Sequence, residues 1–184
     1  MTFVATANAV SYTGAKPVLV DVDPLTWCID VEKVNDAVTP KTKAIIPVHL
    51  YGQPANMPDI KAIAQKHGLY VIEDACEAMG ASIENDAEKT MVGAIGDCGV
   101  FSFYANKLIT SGEGGMVTTN RDDIAQRARK LLGHAMTEER YYHDEIGYNY
   151  RMTEMQGALG ASQMLAVDKK LVRQIHNWNK YRIN

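Results

Sequence analysis

The chain has 184 residues, 46% of them apolar, which suits a packed core and excludes a disordered chain. Lys and Arg number 19 against 22 Asp and Glu, a net charge of −3 with the signs interspersed, so nothing electrostatic points to nucleic acid or an anionic membrane. No apolar run reaches the length of a membrane span, "MTFVATANAV" lacks the basic start and long apolar stretch expected of a secretory leader, and Cys28, Cys76 and Cys98 form no CxxC pair, so a reduced, cytoplasmic setting is expected.

The chain opens on uncapped, helix-compatible sequence, "MTFVATANAV", and closes within a helical pattern, "NWNKYRIN". Both ends read as cut, so a truncated stretch of a longer protein is expected. "KPVLVDVD" (Lys16–Asp23) predicts a first strand and "VEKVNDAV" a short helix. "KAIIPVHL" (Lys43–Leu50) predicts a second strand. "MPDIKAIAQKHG" predicts a helix with Pro58 in its first turn and Gly68 at its stop. "LYVIEDA" (Leu69–Ala75) predicts a buried strand, and the acidic run Glu84–Lys89 a surface loop. "GVFSFY" (Gly99–Tyr104) and "GMVTTN" (Gly115–Asn120) predict two further strands. "RDDIAQRARKLLG" places Ile124, Ala128, Leu131 and Leu132 on one helical face, with Asp122 and Asp123 early and Arg129 and Lys130 late. From about Thr153 the chain is helical. Strands alternating with helices imply an α/β fold with a mostly parallel sheet.

Ligands of such sheets gather at the carboxyl ends of the strands, which selects His49, Asp74, Ser102 and Lys107. Asp74 has two readings: a turn or N-cap carboxylate, or a carboxylate that holds a cationic ring nitrogen. Lys107 has two as well. Most lysines are solvated. This one is framed by "SF" before it and "TSGEGG" after it, where Gly112, Gly114 and Gly115 permit a tight turn or close backbone approach. Partial burial favours the neutral amine, a nucleophile toward carbonyls that can form a Schiff base. P-loop, dinucleotide and nucleophile-elbow motifs are missing. The histidines and cysteines lack metal-ligand spacing, so no metal is expected, and "HDE" (His143–Glu145) reads as a hydrogen-bonded surface or interface cluster. A strand-end aspartate with a framed lysine downstream is the pair that pyridoxal phosphate needs: the lysine forms the imine and the carboxylate pairs with the pyridinium nitrogen.

The stretches "TFVATANAVSYTGAKPVLVDVD", "AIIPVHLYGQPANM", "VIEDACEAMGA", "GDCGVFSFYANKLITSGEGGMVTTN" and "IGYNYRMTEMQGALG" cover most of the chain. In order and spacing they resemble the sugar aminotransferases of the DegT/DnrJ/EryC1/StrS type, a branch of the fold-type-I enzymes dependent on pyridoxal 5'-phosphate. The resemblance implies a large-domain fragment with a mostly parallel mixed sheet flanked by helices. Residues 1–184 would be the central and C-terminal part of the cofactor-binding large domain. A Ser-Gly-Thr-type phosphate turn before Phe3 and a C-terminal small domain are expected outside the chain, leaving an exposed apolar edge.

The resemblance also implies roles. Lys107 matches the lysine that carries the cofactor and Asp74 the carboxylate on its ring nitrogen. Glu77 falls near the cofactor's 3-hydroxyl, Ser102 matches a hydroxyl donor to the phosphate, and Phe3 an aromatic stacked on the ring. Asn149 matches an asparagine that reaches the phosphate bound to a neighbouring subunit, which implies a homodimer with shared sites. The implied reaction is ping-pong transfer of an amino group from an amino-acid donor, usually glutamate, to a nucleotide-linked keto-sugar. "YYHDEIGYNYRM" with "EDACEA" looks closest to perosamine-synthase-like members acting on GDP-4-keto-6-deoxymannose, in lipopolysaccharide biosynthesis or a related pathway. Relatives that are dehydratases carry histidine at the lysine position, which Lys107 argues against. Ala135 stands where the family has glycine, and "GASIENDAEKTMVGAIGD" is a longer loop than expected. Two other readings are a non-catalytic remnant serving as an interaction module, and an α/β oxidoreductase or nucleotide binder, against which the missing glycine fingerprint counts.

Overall fold

The computed structural model describes residues 1–84 and 89–183. It divides into two compact units, Met1–Phe101 and Ser102–Asn184.

The first unit opens with α1 (Val4–Tyr12), an apolar helix with no buried residue and no side-chain cap. Helix α2 (Val31–Ala37) starts on Asp30, whose side chain accepts from the N–H groups of Glu32 and Lys33. Strand β1 (Ala44–Ile45) leads through a 3₁₀ turn at Leu50–Gly52 to α3 (Met57–His67). The bounds of α3 follow its chemistry. Asn56 caps it and Pro58 occupies the first turn; Lys66 and His67 sit in the last turn, and Gly68 ends it at a left-handed φ of 65°. Met57, Ile60 and Ala64, at helical spacing, are its buried stripe. Full burial of a side chain such as Met57 or Ile60 stabilises by about 1.5–3 kcal/mol.

Strands β1, β2 (Tyr70–Asp74) and β5 (Cys98–Ser102) are parallel, with Ile45 opposite Val71 and Asp74 opposite Val100. The core joins Cys28, Val34, Ile45, Leu50, Met57, Ile60, Ala64 and Val71. Strands β3 (Ser82–Glu84) and β4 (Lys89–Met91) pair antiparallel. β5 needs glycine: a Cβ on Gly99 would lie 2.3 Å from the Gly93 Cα.

The second unit holds β6 (Gly115–Thr118), α4 (Asp122–Leu132), α5 (Glu154–Met164) and α6 (Val167–Ile183). Thr153 and Gln156 form a reciprocal capping box at the start of α5. No helix among the described residues is long and apolar enough to cross a membrane.

Three expectations need correction. Lys16–Asp23 is not a strand: among the described residues its one β-bridge is the isolated Val22–Ile29, and Leu19 is 81% exposed. The pattern was present without a partner, and strand structure is made by pairing. The strand expected over Lys43–Leu50 is cut to two residues plus a bridge from Val48 to Asp74, because Pro47 between them has no N–H to donate. The stretch read as a longer loop contains the β3–β4 pair; residues 85–88 of the acidic run lie outside the described residues.

Candidate active site

Asp74 is the last residue of β2, where the parallel sheet ends. Its main chain is fixed on both sides: its N–H donates to the Pro47 carbonyl at 2.9 Å, and its carbonyl accepts from the His49 N–H at 3.0 Å. Its carboxylate is fixed too. The Thr6 hydroxyl donates to Oδ2 at 2.7 Å and the Cys76 N–H to Oδ1 at 3.2 Å. The turn reading holds for Oδ1, which closes the turn after the strand, and each oxygen keeps a lone pair for a further donor. Since the Thr6 hydrogen goes to Asp74, the Thr2 hydroxyl, 2.8 Å from Thr6, is the donor in that contact. Thr6 was not legible as a site residue. Its one signal is its place on the helical face three residues after Phe3. Phe3 is 75% exposed, immediately before α1.

Glu77 follows in the turn and accepts from the Tyr51 N–H at 3.2 Å. Tyr51 has a left-handed φ of 52°, a strained setting for a tyrosine that aims its N–H at that carboxylate.

His49, selected by its strand-end position, is a structural residue instead. It is fully buried, and its Nδ1 accepts from the Ala55 N–H at 3.0 Å. Nε2 therefore carries the ring hydrogen and donates to Glu73 Oε2 at 3.0 Å. Glu73, also fully buried, accepts three main-chain N–H bonds besides, from Gly93 at 2.8 Å and from Ile95 and Gly96 at 2.7 Å each. Burial pushes the Glu73 carboxyl up, but the bonds from His49, Gly96, Gly93 and Ile95 outweigh it and leave it below the ordinary glutamate value.

In the second unit, Lys107 is half-buried in a closed loop. The Phe103 N–H donates to the Gly114 carbonyl at 2.9 Å and the Ser111 N–H to the Phe103 carbonyl at 3.0 Å, which ties the neck. The Thr110 hydroxyl donates to the same Phe103 carbonyl at 2.9 Å. The Lys107 N–H donates to the Tyr104 carbonyl at 3.0 Å, so the lysine sits at the end of a tight turn. Gly114 has φ 134°, and a Cβ there would lie 2.6 Å from Met152 Sδ, so the glycine expected to permit close approach does so. The Ser102 Oγ accepts from the Tyr104 N–H at 3.2 Å, which leaves its own hydrogen to donate elsewhere.

Asn149 lies on an exposed strap sewn to the end of α4. The Tyr148 N–H donates to Leu131 O at 2.7 Å and the Tyr150 N–H to Leu132 O at 3.0 Å, while Asn149 bridges Gly133. Gly147 is obligatory, because a Cβ would lie 2.1 Å from the Ala135 nitrogen. Ala135 has a φ of 53°, which explains why glycine is expected there. The "HDE" cluster is the strap's fastening, as expected: His143 Nδ1 is 2.8 Å from the His134 carbonyl, Lys130 pairs with Asp144 at 2.7 Å, and Glu145 binds Arg127 and Lys130. Arg127 first, then Lys130, pulls the Glu145 carboxyl down to about 2.

The donor chemistry fits pyridoxal phosphate within each unit. The first presents a fixed carboxylate with spare lone pairs, Asp74, and an exposed aromatic, Phe3. The second presents a half-buried lysine in a closed loop and a serine hydroxyl with its hydrogen to give. Among the described residues, no three His, Cys, Asp or Glu side chains gather as a metal site would require.

A family model described as the DegT/DnrJ/EryC1/StrS aminotransferase family matches residues 1–184. The chain is 47% identical over 186 residues to a GDP-perosamine synthase of Caulobacter vibrioides, covering 100% of this chain and 49% of that protein. It is 50% identical over 159 residues to a UDP-N-acetyl-3-dehydro-alpha-D-glucosamine 3-aminotransferase of Acidithiobacillus ferrooxidans, covering 86% and 42%. Among solved structures, an aminotransferase from Psychrobacter cryohalolentis is similar with a TM-score of 0.80 at 40% identity, covering 90% of this chain and 44% of that one. The chain thus spans about half the length of the curated relatives it matches. The fold is the expected α/β fold of these aminotransferases.

Proposed function

The chain belongs to the DegT/DnrJ/EryC1/StrS aminotransferase family, and on that premise we propose that it serves the pyridoxal phosphate-dependent transfer of an amino group to a nucleotide-linked keto-sugar. The donor is an amino acid, glutamate, and the acceptor GDP-4-keto-6-deoxymannose. The setting is cytoplasmic, and the product an amino-sugar for lipopolysaccharide or another surface polysaccharide. The observation that carries this reading is 47% identity to a GDP-perosamine synthase across the whole chain. Residues 1–184 are assigned to the cofactor-binding large domain.

When bound, pyridoxal phosphate supplies an electron sink for the bonds at the amino-bearing carbon. The chain supplies the rest. The Asp74 carboxylate, steadied by Thr6 and Cys76, would hold the ring nitrogen. Phe3 would pack on the ring, Glu77 would serve its 3-hydroxyl, and the Ser102 hydroxyl would donate to the phosphate. The Lys107 amine would hold the cofactor covalently and, when free, would take the proton from the donor Cα as general base and return it as general acid. Asn149 reaches the phosphate held by a second copy, so the active form is a homodimer with shared sites.

The test is to incubate the chain with pyridoxal phosphate, glutamate and GDP-4-keto-6-deoxymannose. The expected result is one GDP-linked amino-sugar per 2-oxoglutarate, read by mass spectrometry. Release of neither from this or any other nucleotide 4-keto-sugar would contradict the proposal.

A further inference from the structure

The backbone just beyond Lys107 has an anchor that the proposed reaction does not use. Gln163, on α5, meets Thr110 with both ends of its amide. The Thr110 N–H donates to Gln163 Oε1 at 3.3 Å, and Gln163 Nε2 donates to the Thr110 carbonyl at 2.7 Å. Lys170, on α6, donates to the same Oε1 at 2.5 Å and reaches the Leu108 carbonyl at 3.5 Å. An ammonium group has donors only, so the amide atom facing it must be the oxygen. That fixes the orientation of the amide and leaves its NH₂ for the Thr110 carbonyl. Gln163 thus satisfies both main-chain groups of Thr110, as a neighbouring strand would. Between the two anchored carbonyls, Ile109 is 1% exposed.

We infer that Gln163, backed by Lys170, is the positioning residue for Lys107. Its amide sets the backbone from Leu108 to Thr110, and so the point from which the Lys107 amine reaches a carbonyl. This rests on the role given to Lys107 above. A net contribution of about 1 kcal/mol per hydrogen bond is small beside a domain's total stability of about 5–15 kcal/mol, so the chain is expected to stay folded without the clamp. Reactive geometry is less forgiving: a displacement of about 1 Å costs on the order of 10²-fold in rate.

The test uses the full chain with Gln163→Leu, which removes both amide bonds, and Gln163→Glu. Glutamate keeps an acceptor for Thr110 and Lys170 and loses only the donor to the Thr110 carbonyl. Two readouts are taken well below the melting temperature. Without cofactor, hydrogen exchange of the amides from Leu108 to Gly112 is expected to quicken in Gln163→Leu while exchange elsewhere is unchanged. With cofactor, borohydride fixation onto Lys107 is followed by peptide mass against added pyridoxal phosphate and pH. Gln163→Leu is expected to need about tenfold more pyridoxal phosphate for half-fixation and to move the pH midpoint, with Gln163→Glu in between. Should the leucine variant fail to fold, the glutamate variant decides alone by the same readouts. Unchanged exchange overturns the inference. So does faster exchange with an unchanged half-saturation and pH midpoint, which would make Gln163 a structural support only. Fixation absent from Lys107 in the unmodified chain would overturn the reading of Lys107, and this inference with it.

Discussion

Replacing Asp74 by asparagine is expected to lower kcat/KM for amino transfer about 10²–10³-fold, the scale of removing one preorganised electrostatic group from a reacting centre. Asparagine has nearly the same shape. Its side-chain oxygen still accepts one of the two bonds that Asp74 receives from Thr6 and the Cys76 N–H. The main-chain bonds to Pro47 and His49 involve no side-chain atom of residue 74 and survive. The melting temperature should therefore hardly move while the rate falls, because what is lost is the negative charge that keeps a ring nitrogen protonated. Kinetics of the variant beside its thermal melt separate the two effects. A rate within a factor of about two of the unmodified chain would remove Asp74 from the proposed role.

Glu73→Ala is expected to act in the opposite way, on stability first. Glu73 neighbours Asp74 in β2 and points into the protein, where the His49 ring and three N–H groups of residues 93–96 converge on it. Among the described residues no buried side-chain nitrogen or oxygen lacks a partner. Alanine would remove the acceptor that these four donors share. Breaking a buried charged cluster on one side costs about 3–5 kcal/mol, a large share of an ordinary domain's stability of about 5–15 kcal/mol. A urea melt, or loss of soluble chain, measures it. The acid limb follows from the same bonds. The native Glu73 carboxyl lies below the ordinary value of 4.5, so the unfolded chain takes up the proton first as pH falls. This stabilisation is fully present above about pH 4.5, the ordinary value, and is lost as pH drops through the native one. Glu73→Gln should flatten that part of the stability–pH curve. An unchanged slope would show that Glu73 contributes nothing to it.

Much of the frame that carries Asp74 was legible because its signals are local. The apolar run before Asp74 and the proline and glycine bounding α3 lie within a few residues of what they determine. The framed Lys107 and its glycines were legible for the same reason. What escaped is long-range. Thr6 meets Asp74 from 68 positions away and Gln163 meets Thr110 from 53, and no spacing rule reaches so far. Lys16–Asp23 failed for the converse reason: its alternation is local, but a strand exists only with a neighbour. His49 was selected correctly as a strand-end residue and then shown to be structural, since position alone does not reveal that Ala55 and Glu73 occupy both its nitrogens.

In the proposed function Lys107 carries the cofactor, and the visible absorption spectrum of the purified chain with added pyridoxal phosphate, before and after Lys107→Ala, puts that role to the test. A protein-bound band is expected in the unmodified chain and none in the alanine variant. The same band in both proteins, or none in either, would contradict it.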